Sequence, residues 1–526
     1  MALLSIHSMG HDTGVSIFEN NKLICTIETE RLTRVKHDHR SEISLEYILN
    51  YLKLKPKDIE LVAVSTNIRN KILKIKNIET ARKSIEKRNL HYETKCEMLG
   101  VEKPCIVVAH EASHAALAWH YAGYQKNCLI LVNEGRGTFS RNSVYLSNSD
   151  RIDLLDYNML PWYATGFGWS ALGYLLNLGI GPSVAGTVMA FAGFGNVTEK
   201  YEEIINKIDN KIHYKSKSEM QDEAQKTKKK FNLNNNFKSK ANLVSTFQNK
   251  FSENIKDYIK INLNKYEIDG LAFGGGCALN INTNNIIRKN FGKIAISPAC
   301  NDSGQSLGAG IYVNKCLMGI ETEQFSPYVN GFEDNSDIAS LFEKYGLTFK
   351  NYDPDEMAKE LANGAIVAYM DGISEIGPRA LGNRSLLANP SIKNIKEKLS
   401  EKVKNREWFR PLSPIMTNET FEKLYPDEDK SPYMLFNYEN RSDLLSGACH
   451  IDNTMRIQTL SKKMNPRLHT LLKLFEDRTG VQALINTSLN IKGKAIAYRA
   501  KDLIKDFLGT KVDIFVIGKF MAYNKL

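Results

Sequence analysis

Apolar runs that pass into helices, directly or through glycine-bearing loops, predict an α/β protein. Three stretches carry that prediction. A strand over 104–109 precedes the helix AHEASHAALAWHYAGY, a strand over 270–273 precedes Gly274-Gly275-Gly276 and a helix, and a strand over 293–297 precedes PACNDSG and a helix over 307–312. The last two repeat one strand, loop and helix architecture, with no repeat of solenoid period beside them. At 526 residues, 42% hydrophobic and 25% charged, the chain has a globular composition and room for two or three domains with their own cores.

No apolar run approaches the roughly 18 residues of a membrane span. The opening MALLSIHSMGHDTG turns polar too early for a signal peptide, so a cytoplasmic protein is expected. Eight scattered cysteines without a CxxC pair read as reduced thiols. The net charge of +11 has much of its excess in a Lys/Asn-rich stretch without interleaved aromatics, which favours anionic small substrates over nucleic acid.

In chain order, residues 3–28 alternate as strands around two turns, and the first turn is the polar loop Gly10-His11-Asp12-Thr13-Gly14. The charge-dense ETERLTRVKHDHR over 28–40 follows and reads as the polar face of an amphipathic helix. His110 and His114 lie four residues apart, about 40° around a helix, so both imidazoles reach one ion. The same residues spell HExxH with His120 downstream, which raises a zinc protease. That pattern needs a glycine at 117 to swing the third histidine back; Leu117 continues the helix and leaves His120 about 80° off.

A strand over 128–132 ends in Asn133-Glu134-Gly135, where Glu134 can supply an oxygen to the same ion, and a helix is expected over 167–178. Residues 198–265 form a Lys/Asn-rich helical insertion. The glycines Gly274, Gly275 and Gly276, followed by Asn280, allow a nucleotide close to the backbone at a helix start. Asp302, between strand and helix, can complete a metal site.

Periodicity lapses over 320–335, a boundary. Beyond it, helices over 338–345 and 356–363 and a buried strand over 365–370 lead into EIGPRALGNRSLLANP and KNREWFRPLSP. This reads as a loop-borne anion site: Arg379, Arg384, Lys404, Arg406 and Arg410 are separated by Gly377, Pro378, Gly382 and Pro411, and arginine's planar fork suits two phosphate oxygens at once. A strand over 481–485 precedes Asn486-Thr487-Ser488, whose small polar groups can bind phosphate or carbonyl oxygens. A helix over 500–508 and a strand over 514–517 close the chain.

With GHDTGVSIF, ERLTRVKHD, HxxxH, EGRG, GGGCALN, PACNDSG, GPRALGNRSLL, KNREWFRPLSP and LINTSLNIKG in this order, the chain resembles the O-carbamoyltransferases of nodulation-factor and antibiotic tailoring. The resemblance implies an N-terminal actin-like (ribonuclease H-like, duplicated) domain over 1–325, related to tRNA threonylcarbamoyl transferases. It implies a C-terminal α+β YrdC-like domain over 335–526. It also implies a metal, usually iron, held by His110, His114 and Asp302, with Glu134 where the family has aspartate. Carbamoyl phosphate would bind at Arg379, Arg384, Lys404, Arg406 and Arg410 with Asn486 and Ser488, and ATP would enter with Mg2+. A carbamoyl-adenylate would bind at Gly274–Gly276 and Asn280, and its carbamoyl group would pass to a small hydroxylated acceptor. His11, beside Asp12, is the candidate base or orienting group, and Lys36 stabilises charge. No membrane is implied, and a homodimer is compatible with the reading.

The chain departs from the family at Glu111, Glu134, Thr138, Ala185, Thr187, Lys494 and Ala495. Glu134, Thr138 and Thr187 keep open a non-catalytic nucleotide-binding homologue, and the shared first fold keeps open a threonylcarbamoyl-type transferase.

Overall fold

The structure is a computed structural model that describes residues 2–8, 10–65, 73–179, 181–207, 222, 225–229 and 236–524. Its first sheet is built from β1 (Ala2–His7), β2 (Gly14–Glu19), β3 (Lys22–Glu28), β4 (Leu61–Ser65), β5 (Leu73–Ile75), β6 (His91–Met98) and β7 (Val101–Val108), in the order β3-β2-β1-β4-β7-β6-β5. The second holds β8 (Cys128–Asn133), β9 (Asn142–Ser147), β10 (Ile152–Tyr157), β11 (Gly270–Gly274) and β12 (Ile294–Ala295), in the order β10-β9-β8-β11-β12.

The two sheets share a topology. In each, an antiparallel meander of three strands is extended from its first strand by two parallel strands, β4 and β7 in one and β11 and β12 in the other. The N-terminal region is therefore a duplicated α/β fold of actin-like type. Helix His110–Tyr121, which follows β7, and helix Gln305–Tyr312, which follows β12, pack on each other between the sheets. A Cβ on Gly308 would lie 2.0 Å from the Ser113 carbonyl, so only glycine lets the two backbones come this close. That contact brings the starts of both helices, and hence His110 and Asp302, together.

The third sheet is mixed, with β13 (Phe349–Asn351), β14 (Val367–Met370), β15 (Arg384–Ala388), β16 (Ser413–Thr417), β19 (Gln458–Leu460), β20 (Leu484–Ser488), β21 (Ile514–Ile517) and β22 (Phe520–Tyr523) in the order β13-β22-β21-β14-β15-β20-β16-β19. The short pair β17 (Tyr438–Glu439) and β18 (Thr454–Met455) stands apart. Two apolar clusters, one around Phe421 and Phe475 and one around Phe342 and Phe507, form its core.

Several local expectations change. The 28–40 segment is helical only over Thr29–Thr33, because Arg34 takes a left-handed φ of 64° and ends the helix. Residues 384–388, expected as loop, are the fully buried strand β15, paired on both sides. The strand expected at 481–485 is β20, so Asn486 and Ser488 lie in it, with Asn486 opposite Leu387 and Ser413. Of the Lys/Asn-rich insertion, helices Glu199–Lys207 and Phe237–Leu263 bracket a middle that falls largely outside the described residues. Among the described residues no helix is long and apolar enough to cross a membrane, and all eight cysteines are free.

Candidate active site

His110 and His114 project from one side of their helix toward the ends of β8 and β12. His114 Nε2 lies 2.8 Å from Glu134 Oε1, 3.3 Å from Asp302 Oδ1 and 3.2 Å from His110 Nε2, which is itself 3.4 Å from Asp302 Oδ1. All four donor atoms fall within 4.8 Å of one another, and all four residues are buried. Two imidazole nitrogens facing each other with two carboxylate oxygens make a mixed N/O set that fits a divalent transition metal. Burial opposes charge on His114, but Glu134 and Asp302 outweigh it and raise its pKa to about 9. Burial would raise the Asp302 pKa; His110, His114 and His11 instead hold it well below the usual carboxylate range. His7, at the end of β1 with its ring centroid 6.1 Å from that of His110, was not singled out from sequence. Burial keeps it neutral, with a pKa lowered to about 3, and among the described residues neither ring nitrogen has a hydrogen-bond partner.

The solvent side of this centre belongs to the two loops expected to carry chemistry. His11 Nδ1 lies 3.5 Å from Asp302 Oδ2 and 3.1 Å from Asp12 Oδ2, while Asp12 Oδ1 lies 2.7 Å from His37 Nδ1. His37 is a second residue that sequence reasoning missed, although it adjoins Lys36 in ERLTRVKHD.

The glycine loop lies beside the metal ligands. Gly276 N–H donates to Glu134 Oε1, and a Cβ on Gly275, whose φ is +87°, would lie 2.3 Å from the Asn133 carbonyl. Asn280 serves a different end: its Oδ1 accepts from Thr283 N–H to cap helix Ile281–Phe291, and its amide donates to Gln248 Oε1. Its assignment to a nucleotide is therefore corrected, since the buried side chain is occupied within the protein. The protease reading also falls. Glu111 Oε1 accepts from the Phe139 and Ser140 N–H groups at 2.9 and 2.8 Å, which makes it the anchor of the loop after β8. His120 faces away from the centre, with Nδ1 3.1 Å from Tyr124 Oη and its ring stacked on Phe325.

Arg379, Arg406, Arg410 and Lys404 stand near enough to act on one another electrostatically. Burial lowers the pKa of each, and neighbouring cations lower it further for Arg379, Arg406 and Lys404. Arg456, which lies outside the motifs, joins them: burial and then Arg379, Arg406 and Arg410 pull it well down. Lys36 reaches the cluster from the N-terminal region; burial lowers its pKa, Glu30 opposes, and Arg410 and Arg31 add to the lowering. Among the described residues none of the four arginines is in an ion pair, and Nε of Arg379 and of Arg406 has no partner. Phe409, buried against Phe191, fixes the loop between Arg406 and Arg410. Helix Pro182–Met189, the site of the Ala185 and Thr187 departures, comes close at Gly186, where a Cβ would lie 4.0 Å from Arg410 Nη2.

Two expected ligands stand otherwise. Arg384 is a correction: fully buried on β15, it donates to the carbonyls of Asp371, Gly372, Asn383 and Tyr498 and is closed to an anion. Asn486 is buried, donating to Ala380 O and Gln458 Oε1, while among the described residues its own Oδ1 has no partner. Ser488 stays with the cluster through Lys404, whose Nζ lies 3.2 Å from Ser488 Oγ and 3.0 Å from Asn490 Oδ1.

Cluster and metal centre are locked together at Gly377. Its N–H donates to Glu28 Oε1 at 2.7 Å, its carbonyl accepts from Arg31 Nη2 at 2.6 Å, and a Cβ would lie 2.2 Å from the carbonyl of Pro298, in the loop that carries Asp302. The Lys494 and Ala495 departures meet the same N-terminal segment. Asp506 pairs with both Lys494 and Arg34, and Ala495 N–H donates to Arg34 O.

Comparison with known proteins places these features in a family. The chain matches Carbamoyltransferase N-terminus over residues 2–74 and 63–311, and Carbamoyltransferase C-terminus over residues 358–524. It is 26% identical to nodulation protein NolNO of Sinorhizobium fredii, over 98% of this chain and 79% of that one. It is 35% identical to a 3'-hydroxymethylcephem-O-carbamoyltransferase of Amycolatopsis lactamdurans, over 47% of this chain and 48% of that one. Among solved structures, component A of the (R)-2-hydroxyglutaryl-CoA dehydratase of Acidaminococcus fermentans aligns at TM-score 0.36 and 12% identity, covering 60% of this chain and 98% of that one.

Proposed function

The chain belongs to the carbamoyltransferase family, and we propose that it is an ATP-dependent O-carbamoyltransferase acting on a hydroxyl of a sugar or natural-product acceptor. The observation that carries this reading is the cluster of Arg379, Arg406, Arg410 and Arg456, none of them in an ion pair among the described residues, with Lys404 and Lys36, packed through Gly377 against the loop of Asp302. Guanidinium groups hold their protons tightly, and with Glu407, among the described residues, the one carboxylate acting on Arg406 and Arg410, their excess positive charge favours a bound anion. The reading divides the chain into an actin-like transfer domain over 1–325 and a YrdC-like donor domain over 335–526.

In the donor domain water attacks the carbamoyl carbon of carbamoyl phosphate, and the cluster neutralises the departing phosphate as its bond to that carbon breaks, leaving phosphate, carbamate and a proton released to solvent. A carbamate oxygen then attacks the α-phosphorus of ATP, which enters with Mg2+, and pyrophosphate leaves. The carbamoyl-adenylate passes Lys36 toward His110, His114, Glu134 and Asp302 and the glycine loop, within an enclosed site that limits hydrolysis. There the acceptor oxygen attacks the carbonyl carbon, its proton passes to solvent and AMP leaves. A divalent metal on the four ligands, ferrous iron by the family resemblance, supplies Lewis-acid polarisation of the carbonyl when bound. His11, held by Asp12, orients the acceptor hydroxyl.

The test is release of pyrophosphate from ATP, Mg2+ and carbamoyl phosphate by the purified protein. Release that depends on carbamoyl phosphate and needs far more of it in Arg379→Ala supports the reading. If the intact protein releases none, with or without candidate hydroxyl acceptors, the non-catalytic homologue takes its place.

A further inference from the structure

Asp302 has two oxygens, and the structure gives each a different set of neighbours. Oδ1 faces His110 and His114, at 3.4 and 3.3 Å; Oδ2 faces His11 Nδ1, at 3.5 Å. Behind His11 stands a second ligand group. The donor atoms of His11, Asp12 and His37 lie within 4.8 Å of one another, with Asp12 placing one oxygen on each imidazole. We infer that this chain holds a second divalent cation on His11, Asp12 and His37, bridged to the inner metal by the Asp302 carboxylate.

Three features favour an ion over a plain hydrogen-bonded triad. The donors, two imidazole nitrogens and carboxylate oxygens, are the set that intermediate divalent ions such as Mn2+, Fe2+ and Zn2+ take. The side chains are presented from a built frame. Asp12 and His37 sit at left-handed φ of 52° and 57°, and Thr13 fastens the two loops by donating from N–H and Oγ1 to the Asp38 carbonyl at 3.2 and 2.9 Å. His37 N–H is further held by Glu30 Oε2 at 3.0 Å. Finally, the His11 and His37 side chains are 41% and 30% exposed, giving the outer group a path from solvent that the buried inner group lacks.

A carboxylate shared by two cations would set the acyl and hydroxyl sides of the transfer against separate Lewis acids, as in two-metal hydrolases. This deepens the carbamoyl-transfer reading and rests on it for its role. The site itself rests on coordination alone, so it is tested without carbamoyl phosphate or acceptor.

The full-length protein is stripped with a chelator and titrated with Mn2+, and bound metal is counted by elemental analysis and electron paramagnetic resonance. Two equivalents per chain with an exchange-coupled signal are expected. His37→Ala and the milder His37→Gln should keep one uncoupled equivalent, and Asp302→Asn should lose the coupling. Weakening of the second equivalent should be at least the roughly 10- to 100-fold that loss of an outer-shell partner produces. Retention of the inner equivalent in the His37 variants reports that the fold is intact. One equivalent at saturation in the unaltered protein, or two in both His37 variants, overturns the second site while leaving carbamoyl transfer untouched.

Discussion

Arg379 and Arg384 stand five residues apart in one motif, yet the structure gives them opposite duties. Arg379 Nε is unpartnered beside other cations, whereas Arg384 satisfies four carbonyls inside the third sheet. Arg379→Ala should therefore raise the KM for carbamoyl phosphate about 10- to 100-fold, the size of a lost charged hydrogen bond, with little change in Tm. Arg384→Ala should instead cost about 3 kcal/mol or more of stability, because it leaves buried carbonyls without donors. Steady-state kinetics and denaturant melts on the pair separate the two duties. His120 supports a different measurement. Burial lowers its pKa from 6.5 to about 4, so below pH 6.5 the unfolded chain binds a proton that the folded chain refuses. Stability should fall by about 3 kcal/mol between pH 6.5 and 4 through this residue alone, and a His120→Gln variant should show a correspondingly flatter acid limb in urea melts.

At the scale of elements, loop chemistry was legible and strand register was not. The HxxxH spacing, the acid at the end of β8 and the acid before helix Gln305–Tyr312 pointed to one ion because helix geometry and strand ends fix where those side chains go. Asn486 and Arg384 misled because a polar residue on a central strand looks like loop until its partners are known. Their partners, Gln458, Ala380 and Tyr498, are distant in sequence. Arg456 and His37 were missed since neither has a spacing of its own; only the folded chain brings them to the motifs. Gly377 tests what the loop needs. With φ +84° and a Cβ position 2.2 Å from the Pro298 carbonyl, Gly377→Ala meets both backbone strain and a backbone clash. A loss of about 2 kcal/mol or more, with a raised KM for carbamoyl phosphate, is expected. Gly480→Ala, at φ +70° with nothing within 4 Å, should show only the strain, about 1 kcal/mol, and unchanged kinetics.

Over the whole molecule, the cation cluster is built by regions that the sequence separates by more than 300 residues. Glu28 and Arg31 grip both ends of the Gly377 peptide, Lys36 contributes charge, and Asp506 joins Arg34 to Lys494. An anion that pairs with Arg379, Arg406 and Arg410 relieves repulsion that Lys36 also feels, so its binding free energy is distributed across the junction. Ligand at about 100 times its Kd stabilises the folded state by about 2.7 kcal/mol, but where that protection falls depends on how the regions are coupled. Carbamoyl phosphate, or inorganic phosphate as a non-reacting probe, should slow hydrogen exchange at residues 28–38 and 298–304 as well as at 377–410. Arg31→Met removes the donor to the Gly377 carbonyl while keeping much of the side-chain volume, and it should retain protection at 377–410 but lose it at 28–38. Protection confined to 377–410 in the unaltered protein would mean that the donor site acts alone, and that the Gly377 clamp holds the regions together without passing on the state of the site.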